Sequence, residues 1–116
     1  MAVATRRDQD RLQDILDAIN AIERHASGGR ARFYQDELIQ VWCLRHLEVI
    51  GEAASRLSDE IRTASAAIPW REIVAMRNLL IHGYFDVDWD EVWNVVERDL
   101  AGLKANVHAL LTKQPA

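Results

Sequence analysis

Four residues able to do chemistry stand close together in "RNLLIHGY": Arg77, Asn78, His82 and Tyr84. An arginine presents a rigid fork of donors that matches phosphate oxygens. A histidine titrates near neutral pH and can pass a proton to or from a reacting group. Together, and without a metal, the two suit transphosphorylation of RNA. The ribose 2′-OH attacks the adjacent phosphorus, His82 moves the proton, and Arg77 stabilises charge building on the nonbridging oxygens. DNA lacks that hydroxyl and would not be cut this way.

Helix geometry constrains how these groups can meet. At about 100° per residue, Asn78 and His82 share a face, and Arg77 and Tyr84 share another if the helix persists past Gly83. Arg77 and His82 are five apart and diverge by roughly 140°. One chain alone therefore makes an awkward pocket for both, whereas two copies about a twofold axis could line one cleft with two guanidinium and two imidazole groups. The same residues also have a plainer use. An Arg and a His near a helix end can cap carbonyls or pair with acids, and Asp86 and Asp88 stand close by. Tyr84 could equally be a core aromatic with its hydroxyl at the surface.

The elements that must position the cluster read as helices. A chain of 116 residues, 49% apolar and 28% charged, supports one folded domain over 1–116, with the termini (1–4 and 113–116) frayed. Strand signals are scarce, and the few Gly and Pro residues sit where long periodic segments would end. Leu12, Ile15, Leu16, Ile19 and Ile22 make one apolar stripe on a first helix from about Thr5 to Ser27. A basic link, Arg30 to Arg32, leads to a second helix over about Phe33 to Leu57, apolar around much of its circumference. Such a helix is either central in its domain or faces both a core and a partner, and in a domain of this size a subunit interface is the simpler explanation, which points to a homodimer. Ser58 caps a short helix. A further helix is expected from Pro69 to His82, stopped by Gly83. Asp86 or Asp88 opens the last one, with Val92, Val96, Leu100, Leu103, Val107 and Leu110 inside. The expected fold is all-α: an antiparallel bundle of four main helices plus one short helix.

Charge narrows the partners. The net charge of −4 argues against a general nucleic-acid coat, and six of the nine charges after Phe85 are acidic. A cationic site must therefore draw on Arg77 and on arginines of the earlier helices. The lone Cys43 excludes an internal disulfide and reads as a buried thiol in "VWCL". The four histidines show no metal-ligand spacing, so no metal or other cofactor is expected. No segment resembles a signal peptide or a membrane span, so the expected location is the cytoplasm. Trp70, Trp89 and Trp93 are expected to pin the last two helices together. His46 is expected at an interface, and Glu52 is a candidate to orient Arg77 across the bundle.

Arg77, His82 and Tyr84, with Asn78 after the arginine, fill an R-x4-H-x-Y pattern that resembles the signature of the HepT-like toxins, a branch of the HEPN superfamily. "RLQDILDAINAI" from Arg11, "RHLEVIGEAASRLS" from Arg45 and "IPWREIVAMRNLLIHGYFDVDWDEVW" from Ile68 also look like family segments in family order. The resemblance implies a helical homodimer whose two signature segments line a shared cleft. It implies a metal-independent endoribonuclease, the toxin of a type VII toxin–antitoxin system, with tRNA the substrate suggested by analogy. The implied partner is an MntA-like minimal nucleotidyltransferase that neutralises the toxin by transferring AMP from ATP to the motif tyrosine, here Tyr84. Added charge and bulk beside Arg77 and His82 would block RNA entry.

Two other classes of function fit the same residues. One is a non-catalytic helical subunit that presents nucleotide or substrate to a nucleotidyltransferase. The other is a bare dimerisation domain, which would tolerate Arg77→Ala in every assay.

Overall fold

Thr5 and Asp8 cap each other reciprocally at the start of α1 (Arg6–Ala26), in a capping box that satisfies two otherwise orphaned N–H groups. The computed structural model describes residues 5–83 and 86–112. The elements that follow α1 are α2 (Gly29–Gln35), α3 (Glu37–Ser55), α4 (Asp59–Ala64), α5 (Trp70–Val74), α6 (Met76–Leu80), α7 (Trp89–Asn94) and α8 (Leu100–Thr112). Val95–Asp99 joins α7 to α8 as a wider π-type turn. Among the described residues no strand forms, only one isolated antiparallel bridge between Ile81 and Val87. The fold is all-helical, as expected.

Helix boundaries differ from the sequence reading at three places, each for a local reason. The basic link is itself helical: Gly29, at φ +88°, turns the chain and α2 follows at once. Asp36 then separates α2 from α3. Its backbone is extended and its side chain accepts from Leu38 N (3.0 Å) and Ile39 N (3.4 Å), an N-cap inside what reads as one long helix. The interruption leaves Phe33 free to turn inward, fully buried, with its ring 5.1 Å from Trp93 and 6.4 Å from Trp89. The two tryptophans thus anchor α7 to α2. The helix expected over 69–82 is broken at Ala75 and ends at Leu80.

The core lies between α1 and α3, with α8 closing over α1. Leu12, Ile15, Ile19 and Ile22 of α1 are fully buried, as the stripe predicts, and meet Ile39, Cys43, Leu47, Ile50 and Ala54 of α3. The opposite face of α3 carries Leu38 and Val41, 81% and 52% exposed, then Arg45, Glu48 and Glu52 at helical spacing. Trp42 fills a flank, donating from Nε1 to Ala21 O at 2.8 Å, with His46 against its ring at 4.3 Å. His46 is thereby occupied within its own chain.

One carboxylate ties the start of α1 to the start of α4. Asp8 is 2% exposed and accepts from Ser58 N (2.9 Å) and Ser58 Oγ (2.7 Å), while Ser58 caps α4 through Ile61 N. Burial pushes the Asp8 carboxyl upward, but the hydrogen bonds from Ser58 and Thr5 outweigh it and hold the carboxyl below its usual range.

Candidate active site

Gly51 is the contact that places the motif segment. It is buried on α3, and a Cβ there would lie 3.2 Å from Ile73 O and 3.8 Å from Val74 O. A side chain here would press on the end of α5, which would have to give by a few tenths of an ångström, and glycine avoids that contact. The chain breaks at Ala75 (φ −82°, ψ 1°) and restarts as α6, with Met76 and Leu80 turned into the core. Arg77 is left outside, beside the polar face of α3.

There its Nε lies 3.5 Å from Glu48 Oε2, with the arginine side chain 70% exposed and the glutamate 28%. Glu48 is thus the acid that faces Arg77. Glu52, the candidate suggested by sequence, lies one turn further along and pairs instead with Arg56, Nη2 to Oε1 at 2.9 Å and Nε to Oε1 at 3.0 Å. The i,i+4 spacing on one helix face brings Glu52 and Arg56 together, and α6 begins nearer the level of Glu48. Arg45, Glu48, Gly51, Glu52, Ser55, Val74 and Arg77 line an open cleft of about 480 Å³. Arg45 supplies the second cation expected from an earlier helix.

After Leu80 the chain reverses. His82 N donates to Asp86 O at 2.7 Å and Asp88 N donates to Leu80 O at 2.7 Å, around the Ile81–Val87 bridge. Gly83 takes φ +104°, a conformation that few side chains tolerate. His82 therefore sits on an extended arm rather than in a helix, and the angle that helix geometry imposes between it and Arg77 does not apply. Its Nε2 lies 3.4 Å from Asp88 Oδ2, and the imidazole is 51% exposed. Asp88, not Asp86, caps α7, its Oδ1 accepting from Glu91 N at 3.1 Å.

Within one chain, then, Arg77 and His82 each face a carboxylate, on two different elements, and both remain open to solvent. The carboxylate pairing matches the plainer use of these residues, while the exposure leaves both groups accessible to a phosphate. Asn78 is exposed on α6. Tyr84 lies outside the described residues. Asp88 was one of two nearby acids that the sequence offered as a partner, and Glu48 is the partner that sequence reasoning did not assign. Asp88 was visible as a helix cap, whereas Glu48 carried no signal separating it from Glu52. Among the described residues, no three His, Cys, Asp or Glu side chains are grouped to hold a metal ion. Among them, too, no helix is long and apolar enough to cross a membrane.

Comparison with known proteins converges on one family. Residues 15–110 match the family model described as "Ribonuclease HepT-like". The chain is 37% identical over 106 residues to "Probable ribonuclease HepT" of Thermococcus cleftensis, covering 90% of this chain and 96% of that protein. It is 35% identical over 97 residues to "Putative RNase MJ1380" of Methanocaldococcus jannaschii, covering 83% and 89% respectively. A protein of Caldanaerobacter subterraneus subsp. tengcongensis, "Putative RNase TTE0752", is 35% identical over 82 residues, covering 71% and 73%. No solved structure matches the chain. With most of its length matched, from the third turn of α1 into the last turn of α8, this chain belongs to the HepT-like ribonuclease family.

Proposed function

We propose that this protein is a metal-independent endoribonuclease that works as a homodimer, with Arg77 and His82 of both copies facing one cleft. The observation that carries the reading is the state of the two side chains: a guanidinium 70% exposed and an imidazole 51% exposed, on one segment of a HepT-like ribonuclease. Leu38 and Val41 support the dimer, since two large apolar side chains stand in solvent on the same α3 face as Arg45 and Glu48. A second copy covering them would bring the two Arg77 clefts toward each other.

In the reaction, the 2′-oxygen forms a bond to phosphorus, the bond to the 5′-oxygen breaks, and a 2′,3′-cyclic phosphate results. His82 of one copy takes the 2′-OH proton. His82 of the second copy, protonated, returns a proton to the leaving 5′-oxygen. Arg77 meets the negative charge that grows on the nonbridging oxygens. The proton and charge work thus fall to groups this chain supplies.

In this reading the enzyme is the toxin of a type VII toxin–antitoxin system, with tRNA among its substrates and a minimal nucleotidyltransferase as antitoxin, a role that the likeness to HepT-like toxins supports. In that scheme the Tyr84 phenol oxygen attacks the α-phosphorus of ATP, pyrophosphate leaves, and the antitoxin takes the phenol proton. The AMP so added, two residues on from His82 in sequence, brings negative charge and bulk that oppose RNA entry.

Expression without the antitoxin should arrest growth, and His82→Ala should remove both arrest and RNA cleavage. An alanine variant as toxic as the parent would refute the assigned base. Intact mass after incubation with the neighbouring nucleotidyltransferase and ATP should rise by one AMP on the native chain and not on Tyr84→Phe. Purified protein that binds the nucleotidyltransferase but leaves every RNA pool intact would instead make it the non-catalytic subunit of a two-component transferase.

A further inference from the structure

We propose that Asp88 is a positioning residue for His82: it fixes the imidazole as the Nε2–H tautomer and so makes Nδ1 the nitrogen that exchanges a proton with the ribose. The inference rests on the ribonuclease reading for its chemistry, but its geometry stands apart from it.

The two oxygens of Asp88 do separate jobs. Oδ1 accepts from Glu91 N at 3.1 Å and closes the start of α7, while Oδ2 lies 3.4 Å from His82 Nε2. The backbone N–H of Asp88 is held by Leu80 O at 2.7 Å, and that of His82 by Asp86 O at 2.7 Å, so both residues are fixed at their main chains before their side chains meet. An ionised carboxylate can only accept, so the nitrogen facing it must carry the proton. In the neutral imidazole the lone pair is then left on Nδ1. A carboxylate behind a histidine also stabilises the imidazolium that forms when the ring takes a proton.

Other ionisable groups surround the pair. Tyr34 of α2 donates its hydroxyl to Asp90 Oδ1. Burial, then Asp90, then more weakly Asp88 push the Tyr34 phenol upward, so it stays a neutral donor and adds no charge beside Asp88. The Arg30 guanidinium lies over the Tyr34 ring at 5.4 Å. Arg77 is taken up by Glu48 on α3. Among the described residues, Asp88 is the charged group in contact with the His82 ring.

Asp88→Asn and Asp88→Ser separate the cap from the carboxylate, because Asn and Ser cap helices about as well as Asp. Thermal midpoints close to the parent's verify that α7 is intact. Long-range proton–nitrogen correlation spectra of His82, assigned by their loss in His82→Ala, read the tautomer in the uncleaving, RNA-free protein. The native chain should show Nε2–H, and both variants should show a mixture. With RNA as substrate, kcat should fall by about tenfold, part of the roughly 10²–10⁴ that positioned acid–base transfer contributes, with KM little changed. The rate–pH profile should shift with the variant. A native His82 in the Nδ1–H form overturns the inference, as does either variant that keeps the native tautomer or the native kcat. Failure of the parent to cleave any RNA would sink the ribonuclease reading alone, since the tautomer measurement needs no activity.

Discussion

Arg77→Ala should separate catalysis from stability by a wide margin. The ion pair that the substitution removes is long and wet: at 3.5 Å in water-like surroundings, two unit charges attract by about 1.2 kcal/mol before screening. With the guanidinium 70% exposed, salt and the entropy of holding a long side chain reduce this to well under 1 kcal/mol. Glu48 is left 28% exposed, open enough to be solvated without its partner. The unfolding midpoint should therefore move by no more than about 4 °C for a domain of this size. A donor aimed at charge that grows in the transition state is a different quantity, typically worth about 10²–10³ in rate. Calorimetry and single-turnover cleavage of a labelled RNA, run on the same preparation, read the two numbers side by side. A rate loss of a few-fold, or a midpoint drop beyond roughly 10 °C that accounts for the lost activity by unfolding, would refute the reasoning.

If the proposed dimer uses the exposed α3 face, Leu38→Asp, which places a charge there, should yield a monomer by sedimentation where the parent is a dimer, with cleavage lost in parallel. A variant that still sediments as a dimer puts the interface elsewhere. Asp8→Asn should destabilise the fold by roughly 1–3 kcal/mol in denaturant titration, because the Ser58 donors lose their buried, ionised acceptor. The native protein should also lose this contribution in acid: the folded carboxyl titrates below 3.8, so the stabilisation is present above that pH and fades as pH falls through the lower folded value. An unchanged midpoint from neutral pH down to about 3 in the Asp8-dependent part would count against the network. Cys43 is fully buried, and burial raises its thiol from 9.0 to about 11. It should resist a thiol reagent at pH about 8 until the chain unfolds. As an acid with a raised folded pKa, it should make stability decline as pH rises from about 9 toward 11. Rapid labelling of the folded protein would show the thiol to be accessible.

The apolar periodicities made the long elements legible. Leu12, Ile15, Ile19 and Ile22 repeat at steps that only a helix satisfies, and the surplus of apolar residues on α3 is accounted for by its two faces, one of them exposed at Leu38 and Val41. The cap at Asp36 was readable in principle, as an acid directly before "ELI", but the apolar pattern runs through it and hides the break. The break at Ala75 has no local signal at all. It lies just after the close approach at Gly51, a contact between residues far apart in sequence. Nor does the sequence show which acid meets Arg77. Glu48 and Glu52 are chemically alike and share a helix face, so only the position of α6 along α3 distinguishes them. Asp88 was legible as a cap from its place before "WDEVW", whereas its second partner depends on the chain reversal between Leu80 and Val87.

The reversal also changes what the spacing between Arg77 and His82 means. In a continuous helix five positions set the two side chains roughly 140° apart, and no adjustment short of unwinding the backbone brings them together. Here the helix ends at Leu80, between them, and each side is held by a separate device. Arg77 is placed by the packing of α5 on α3 at Gly51, His82 by the paired backbone hydrogen bonds that close the turn and by the cap of α7. The fixed spacing in sequence thus measures an arm rather than a helical turn: enough chain to leave α6, extend past Ile81 and present the imidazole before Gly83 bends away. A residue inserted between Leu80 and His82 would shift His82 out of its bond to Asp86 and carry its side chain to the other face of the extended arm. On this view the placement of the histidine relative to the arginine is set by the turn that follows the helix, and the helix itself serves only to bring Arg77 to the edge of the α3 cleft.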